Sequence, residues 1–188
     1  ARVFGISEVL DAFNAANNLP DLLFVLISGG ALAIAFIPVL SEYFDQHGRE
    51  DGWKLFSLVA NLAFVVTGVA ALFVAIFALP IVRSEFGIAP GFGAEQQALV
   101  AELMRLNLIS TLIFSLSGLV IGGLQAHQHF LLPALAPSMY NVGQIFGALL
   151  LAPDEFPFFG LPIPTAGLGV HGLVYGVILG AVLHLGIQ

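Results

Sequence analysis

Cysteine is absent from this 188-residue chain, which excludes disulfides, thiolate metal sites and a cysteine nucleophile. Charge is scarce as well: 9% of residues are Asp, Glu, Lys or Arg, where a water-soluble domain carries about a quarter. Only five Lys and Arg stand against twelve Asp and Glu, so there is no basic surface for nucleic acid. The N-terminus lacks the basic flank and short apolar core of a secretory leader. No glycine-rich phosphate loop, serine-centred nucleophile elbow or zinc-protease motif is present. Nothing therefore argues for an enzyme, a cofactor or a metal. What the chain does have is apolar bulk: 59% of residues are hydrophobic and the mean hydropathy is +0.99. The fold class that follows is an all-α, polytopic transmembrane helix bundle. The chain opens at Ala1 without Met and stops at Gln188 inside an apolar run, so it is expected to belong to a longer one.

The few charges divide the chain into spans. None falls between Asp21 and Glu42, between Lys54 and Arg83, between Arg105 and Asp154, or after Glu155. A helix needs about 20 apolar residues to cross the hydrocarbon core. The gaps predict helices over 52–81, 98–125, 131–152 and 168–188, with the third and fourth of these preceded by a polar turn and a Pro-rich stretch respectively. Residues 8–46 would measure about 58 Å as one helix. Pro20, Ser28-Gly29-Gly30 and Pro38 predict a bent helix there, or two half-helices meeting near Gly29. Residues 1–6 read as the end of a preceding helix. The expectation is about five spans plus that end, with loops 45–54 and 126–130 on one side of the membrane. The positive-inside count is a tie and leaves the orientation open.

Polar groups on the spans are the candidates for function. Asp11, Asn14, Asn17, Asn18 and Asp21 recur at spacings of three and four, sharing about 120° of a helix's circumference. Ser28 extends the stripe if the helix is continuous. Charged and amide groups facing lipid cost several kcal/mol, so the stripe is expected to face the bundle interior or a wet cavity. Asn107, Ser110, Thr111, Ser115 and Ser117 form a milder set on a later span, read as hydrogen bonding within and between helices. Glu102 and Arg105 are spaced to pair, and an Arg105 that snorkels to the interface is an equal alternative. Glycine recurs every fourth residue at Gly118/Gly122, Gly143/Gly147 and Gly172/Gly176/Gly180, a spacing that lets backbones approach closely in lipid. The five histidines have no metal-ligand spacing and read as solvated loop or interfacial groups.

The order of short motifs resembles a known family. Ala1-Arg2-Val3-Phe4-Gly5 is followed by Asp11-Ala12-Phe13, Leu19-Pro20-Asp21-Leu22-Leu23 and Gly29-Gly30-Ala31-Leu32. Then come Ala35-Phe36-Ile37-Pro38-Val39-Leu40, Glu42-Tyr43, Ala89-Pro90-Gly91-Phe92, Leu103-Met104-Arg105 and Leu132-Pro133-Ala134-Leu135-Ala136-Pro137 with Asn141. Across the whole chain this series resembles the MurJ/MviN family of lipid II flippases, within the multidrug/oligosaccharidyl-lipid/polysaccharide exporter superfamily. The resemblance implies two pseudo-symmetric helical lobes around a central cavity, with residues 1–188 as the N-terminal lobe and a C-terminal lobe as its partner. It implies a multi-pass protein of the bacterial inner membrane that moves an undecaprenyl-pyrophosphate-linked precursor by alternating access, in contact with membrane lipid and without a cofactor. It also places loop 45–54 inside the cell and Ala89–Phe92 outside. Asp11 matches an acidic cavity residue of the family and Arg2 a basic one. The chain departs from the family at Asn18, Phe24, Val25 and Gly29, where many members carry basic or acidic cavity groups. The substrate-binding set implied is Arg2, Asp11, Asn14, Asn17, Asn18 and Asp21. Two alternatives stand beside lipid II: transport of another polyprenyl-linked oligosaccharide or an amphipathic drug, and a non-transporting membrane scaffold for cell-wall enzymes.

Overall fold

The computed structural model describes residues 7–27, 31–158 and 161–188. The predicted end of a preceding helix at 1–6, Arg2 within it, and the junction at Ser28, Gly29 and Gly30 lie outside the described residues. Helix α1 spans Glu8–Ile27, α2 Ala31–Arg83, α3 Ala94–Ala126, α4 Leu131–Phe146 and α5 Val170–Gly186. A π-helical turn, Gly147–Leu151, prolongs α4, and two short strands, β1 (Glu155–Phe158) and β2 (Leu161–Pro164), lie between it and α5. Three of these helical stretches, Ala35–Arg83, Ala94–Ala126 and Leu131–Leu151, are long and apolar enough to cross a membrane. The chain is a helical membrane protein.

Local chemistry sets the ends. Ser7 precedes α1, and its carbonyl accepts from the N–H groups of Leu10 and Asp11 at 3.0 and 3.1 Å. Glu8 and Asp11 place negative charge in that first turn, where the helix dipole favours it. In α2 only Gly48 leaves helical geometry, at φ 81° and ψ 177°. This left-handed φ suits glycine, whose missing Cβ removes the steric penalty. The charged stretch 45–54 is thus two helical limbs, 31–47 and 49–83, abutting at one residue rather than an extended loop.

The central helix is α3, which packs against α1, α2 and α5. The small face of α1 (Ala12, Ala15, Ala16) meets Ala71, Val74 and Ala78 of α2 and Val100, Leu103, Met104 and Leu108 of α3 in one apolar cluster. A second cluster joins Phe36 and Leu40 to Ala63 and Leu119. Ring contacts show which ends of the bundle coincide. His127 lies 4.3 Å from the Phe44 ring and 5.5 Å from Trp53 between centroids, so the Gly48 break and the α3–α4 turn share one end. At the other end Gln96 donates to the Glu8 carbonyl at 2.9 Å, and His171 meets Glu102 at 3.0 Å.

Helices α4 and α5 touch through their glycines. A Cβ on Gly147 would lie 2.5 Å from the Gly176 Cα, and one on Gly180 2.6 Å from the Tyr140 carbonyl oxygen. Backbone meets backbone there, as the Gly143/Gly147 and Gly172/Gly176/Gly180 spacings predict. By contrast, a Cβ on Gly122 would reach only Ile37, at an ordinary 3.6 Å. The approach to α5 is held by a strap. Backbone N–H groups of Thr165, Ala166, Gly167, Leu168 and Gly169 donate to carbonyls of residues 150–154, at 2.8 to 3.1 Å. Next to the strap, β1 and β2 pair antiparallel with Pro157 opposite Pro162, neither of which can donate across the ladder.

Two outcomes follow. Single cysteines at Asp45 and His129 should react with an impermeant maleimide from one side of the membrane, and those at Glu85 and Glu155 from the other. Reaction of 45 and 129 from opposite sides would remove a span. Separately, Gly176→Val should destabilise the protein by about 1–3 kcal/mol through overpacking, read as a lowered melting temperature in detergent. Gly93→Ala, where a Cβ meets nothing within 4 Å, should leave it unchanged.

Candidate functional site

The face that α1 turns towards the bundle is made of Ala12, Ala15, Ala16 and Pro20, all buried. Diametrically opposite, Asp11, Asn14, Asn18 and Asp21 are exposed. The polar stripe runs from Asp11 to Asp21, gives way to exposed Leu22, Val25 and Leu26 towards the end of α1, and points away from this chain's own core. Asn17 separates from it. Its Oδ1 accepts from Asn107 Nδ2 at 2.6 Å, and its own amide donates to the Phe13 carbonyl at 3.0 Å. Asn17 ties α1 to α3, while the other four residues stay open.

The exposed faces of the neighbouring helices differ in kind. On α2, Leu58, Leu62, Val65, Val69, Leu72 and Ile76 are each more than half exposed and form an apolar stripe with Asn61 at its edge. On α4, Leu131, Val142, Ile145 and Phe146 are exposed in the same way, with Ser138 and Asn141 exposed among them. Such surfaces suit lipid tails. The α1 face does not: two carboxylates and two amides against hydrocarbon would cost several kcal/mol. The stripe requires water, a polar ligand or another polar protein surface against it.

The polar groups on α3 are buried. Ser110 donates to the Asn107 carbonyl at 2.6 Å and Ser115 to the Leu112 carbonyl at 2.7 Å, both within α3. Thr111 reaches the Pro20 carbonyl of α1 at 3.4 Å. Gln188 donates to Ser117 Oγ at 2.7 Å, and Ser117 Oγ lies 2.7 Å from His184 Nδ1. Gln188 Nε2 also lies 3.2 Å from His184 Nδ1, so Ser117, His184 and Gln188 form one polar triangle between α3 and the end of α5.

Three expectations are corrected. Glu102 does not pair with Arg105; it meets His171 on α5, and Arg105 Nε donates to the Ala75 carbonyl at 2.9 Å. A helix neighbour three residues away lost to partners on adjacent helices. His184 is not interfacial: it is 9% exposed and held by Ser117. His127 is half-buried between aromatic rings rather than solvated in its turn. No spacing along the sequence signals these partners, 67 and 69 residues away for His184 and His171. Among the described residues, no three His, Asp or Glu side chains converge to hold a metal ion.

The native chain has no cysteine, so single-cysteine scanning can test the stripe. Asn14→Cys and Asn18→Cys should react with a water-soluble maleimide in membranes, and Leu62→Cys and Leu72→Cys should not. Equal protection of all four would show that the α1 face does not meet water.

Comparison with known proteins places the chain. The family model described as "Lipid II flippase MurJ" matches residues 1–188. The chain is 33% identical to the lipid II flippase MurJ of Burkholderia cenocepacia, over all of this chain and 34% of that protein. It is 30% identical to the probable lipid II flippase MurJ of Rhizobium tropici, over all of this chain and 35% of that one. It is 26% identical to the lipid II flippase MurJ of Thermosipho africanus, over 98% of this chain and 37% of that one. The chain spans about a third of the length of the curated relatives it matches. It belongs to the MurJ family.

Proposed function

Proceeding from membership of the MurJ family, we propose that this chain is the N-terminal transmembrane lobe of a lipid II flippase in the bacterial inner membrane. The observation that carries the reading is the contrast between faces. Between Leu58 and Ile76 of α2 and along α4 the exposed faces are mainly apolar and carry no charge. Over 11–21 α1 instead presents two carboxylates and two amides, Asp11, Asn14, Asn18 and Asp21, before apolar Leu22, Val25 and Leu26. A polar face on one helix of a lipid-embedded bundle supports an aqueous path between this lobe and a second one. The headgroup of a lipid-linked cell-wall precursor would move along it while the polyprenyl tail stays in the bilayer. Alternating access moves the cargo, and no bond is made or broken.

Charge assigns roles along the stripe. Asn14 and Asn18 offer both donors and acceptors, which suits sugar hydroxyls and peptide groups. Asn17 is committed to Asn107 and serves the α1–α3 contact. Asp11 and Asp21 oppose an anionic pyrophosphate by about 4 kcal/mol per charge pair at 4 Å and an effective dielectric of 20. Arginines of helices beyond these 188 residues, a bound cation or protonation of a carboxylate would offset this repulsion, and we assign the role to arginine positioned by Asp11.

The test is growth of cells depleted of their own flippase and supplied with the full-length carrier. Asp11→Asn should cripple growth, because the arginine it positions is released. Asp154→Asn, beside the strap and away from α1, should grow as the parent does. Equal growth with both would show that Asp11 is only a solvated helix end.

A further inference from the structure

At the end of the bundle where α2 breaks at Gly48 and α3 turns into α4, the structure holds a cleft of about 600 Å³ that shares no residue with the α1 stripe. Arg49, His127 and His129 line it together with Phe44, Trp53 and Phe56. The lining residues also include Gln188, the last of these 188 residues, and no Asp or Glu side chain is among them. That is unexpected in a chain with a net charge of −7 and only five Lys and Arg. The two acids that follow Arg49 are already engaged, since Lys54 Nζ meets Glu50 and Asp51 at 2.9 Å each. Among the described residues Arg49 makes no ion pair, and His127 Nε2 is buried without a hydrogen-bond partner.

The cleft is shaped by the sequence rather than left over from packing. His127 is oriented by its contacts with Phe44 and Trp53. Trp53 in turn stands edge-on to Phe56 at 5.4 Å. Glycine makes room for two of these rings: a Cβ on Gly52 would lie 2.8 Å from Phe44 Cγ, and one on Gly123 3.0 Å from Phe56 Cε2. Aromatic rings at a helix end sit at the level of lipid headgroups, with an apolar edge towards the tails and a polar edge towards water.

The geometry points to a binding site for the phosphate of a net-anionic glycerophospholipid. A guanidinium suits phosphate by bidentate hydrogen bonding. Imidazole N–H groups of His127 and His129 supply further donors, and the aromatic wall takes the glycerol and upper acyl chain. Basic pockets between transmembrane helices capture anionic headgroups by this combination. The site would bind resident lipid of the surrounding leaflet, independently of any cargo on α1.

Trp53 is the single tryptophan of these 188 residues, so it can report on the cleft directly. The purified protein in detergent micelles is titrated with phosphatidylglycerol or phosphatidylcholine carrying brominated chains, which quench indole fluorescence on contact. Subtracting the Trp53→Phe variant isolates the Trp53 signal. Half-quenching should need about fivefold less phosphatidylglycerol than phosphatidylcholine. Arg49→Gln should abolish that preference with helical circular dichroism unchanged, and Lys54→Gln should retain it. Equal quenching by both lipids in the parent, or a preference that survives Arg49→Gln, would overturn the proposal. Full reversal by soluble glycerol phosphate would overturn it too, by reassigning the cleft to a soluble phosphate ester.

Discussion

A polar group inside a bilayer has no water to turn to, and leaving it unpaired costs about 2–7 kcal/mol. The arrangement of this chain follows from where each such group finds its partner. Asn107 on α3 finds Asn17 on α1, and Thr111 finds the carbonyl of Pro20. Ser117 finds His184 and Gln188 beyond α5's centre, and Arg105 finds the Ala75 carbonyl on α2. Each of these links includes a residue of α3. The helix with the most buried polar groups is the one surrounded by three others, because only such a position offers enough partners.

The same constraint divides the surfaces. Between Leu58 and Ile76 polar groups on α2 are few: Asn61 is exposed beside the apolar stripe, and Thr67 turns its hydroxyl back on the Ala63 carbonyl at 2.7 Å. The apolar stripe itself can meet hydrocarbon. Helix α1 resolves the constraint in the opposite way: it keeps its small residues and Asn17 for the bundle and leaves Asp11, Asn14, Asn18 and Asp21 at the surface. A bundle with one wet side and two greasy ones is directional before any ligand is considered.

Much of this is legible in the residues. Long stretches without charge leave little but helices, because lipid forbids an unpaired backbone, and the all-α membrane fold follows from composition. The α1 stripe follows from spacing, since one helix's circumference is fixed by its own geometry. Asn17 shows where the method ends. It sits at the edge of the polar arc, and only the presence of Asn107 on another helix decides that it turns inward. The pairings of Glu102 and of His184 are of the same kind, set by side-by-side helices far apart in sequence. The break at Gly48 was hidden among charges that suggested a longer loop. The β1–β2 hairpin was masked by prolines that weaken any strand pattern.

The meeting of α4 and α5 has a mechanical character of its own. Where side chains interlock, two helices resist both compression and sliding; where glycine backbone rests on glycine backbone, only compression is opposed. The contact between Gly143, Gly147 and Gly176 is smooth in this sense. It is not free, however, because the five hydrogen bonds between residues 150–154 and 165–169 clamp the pair at one end. A smooth bearing clamped at one end converts sliding into rotation about the clamp. The α4–α5 pair is tied at the strap end and seated on α3 along α5, so the register between the two helices is set from that end.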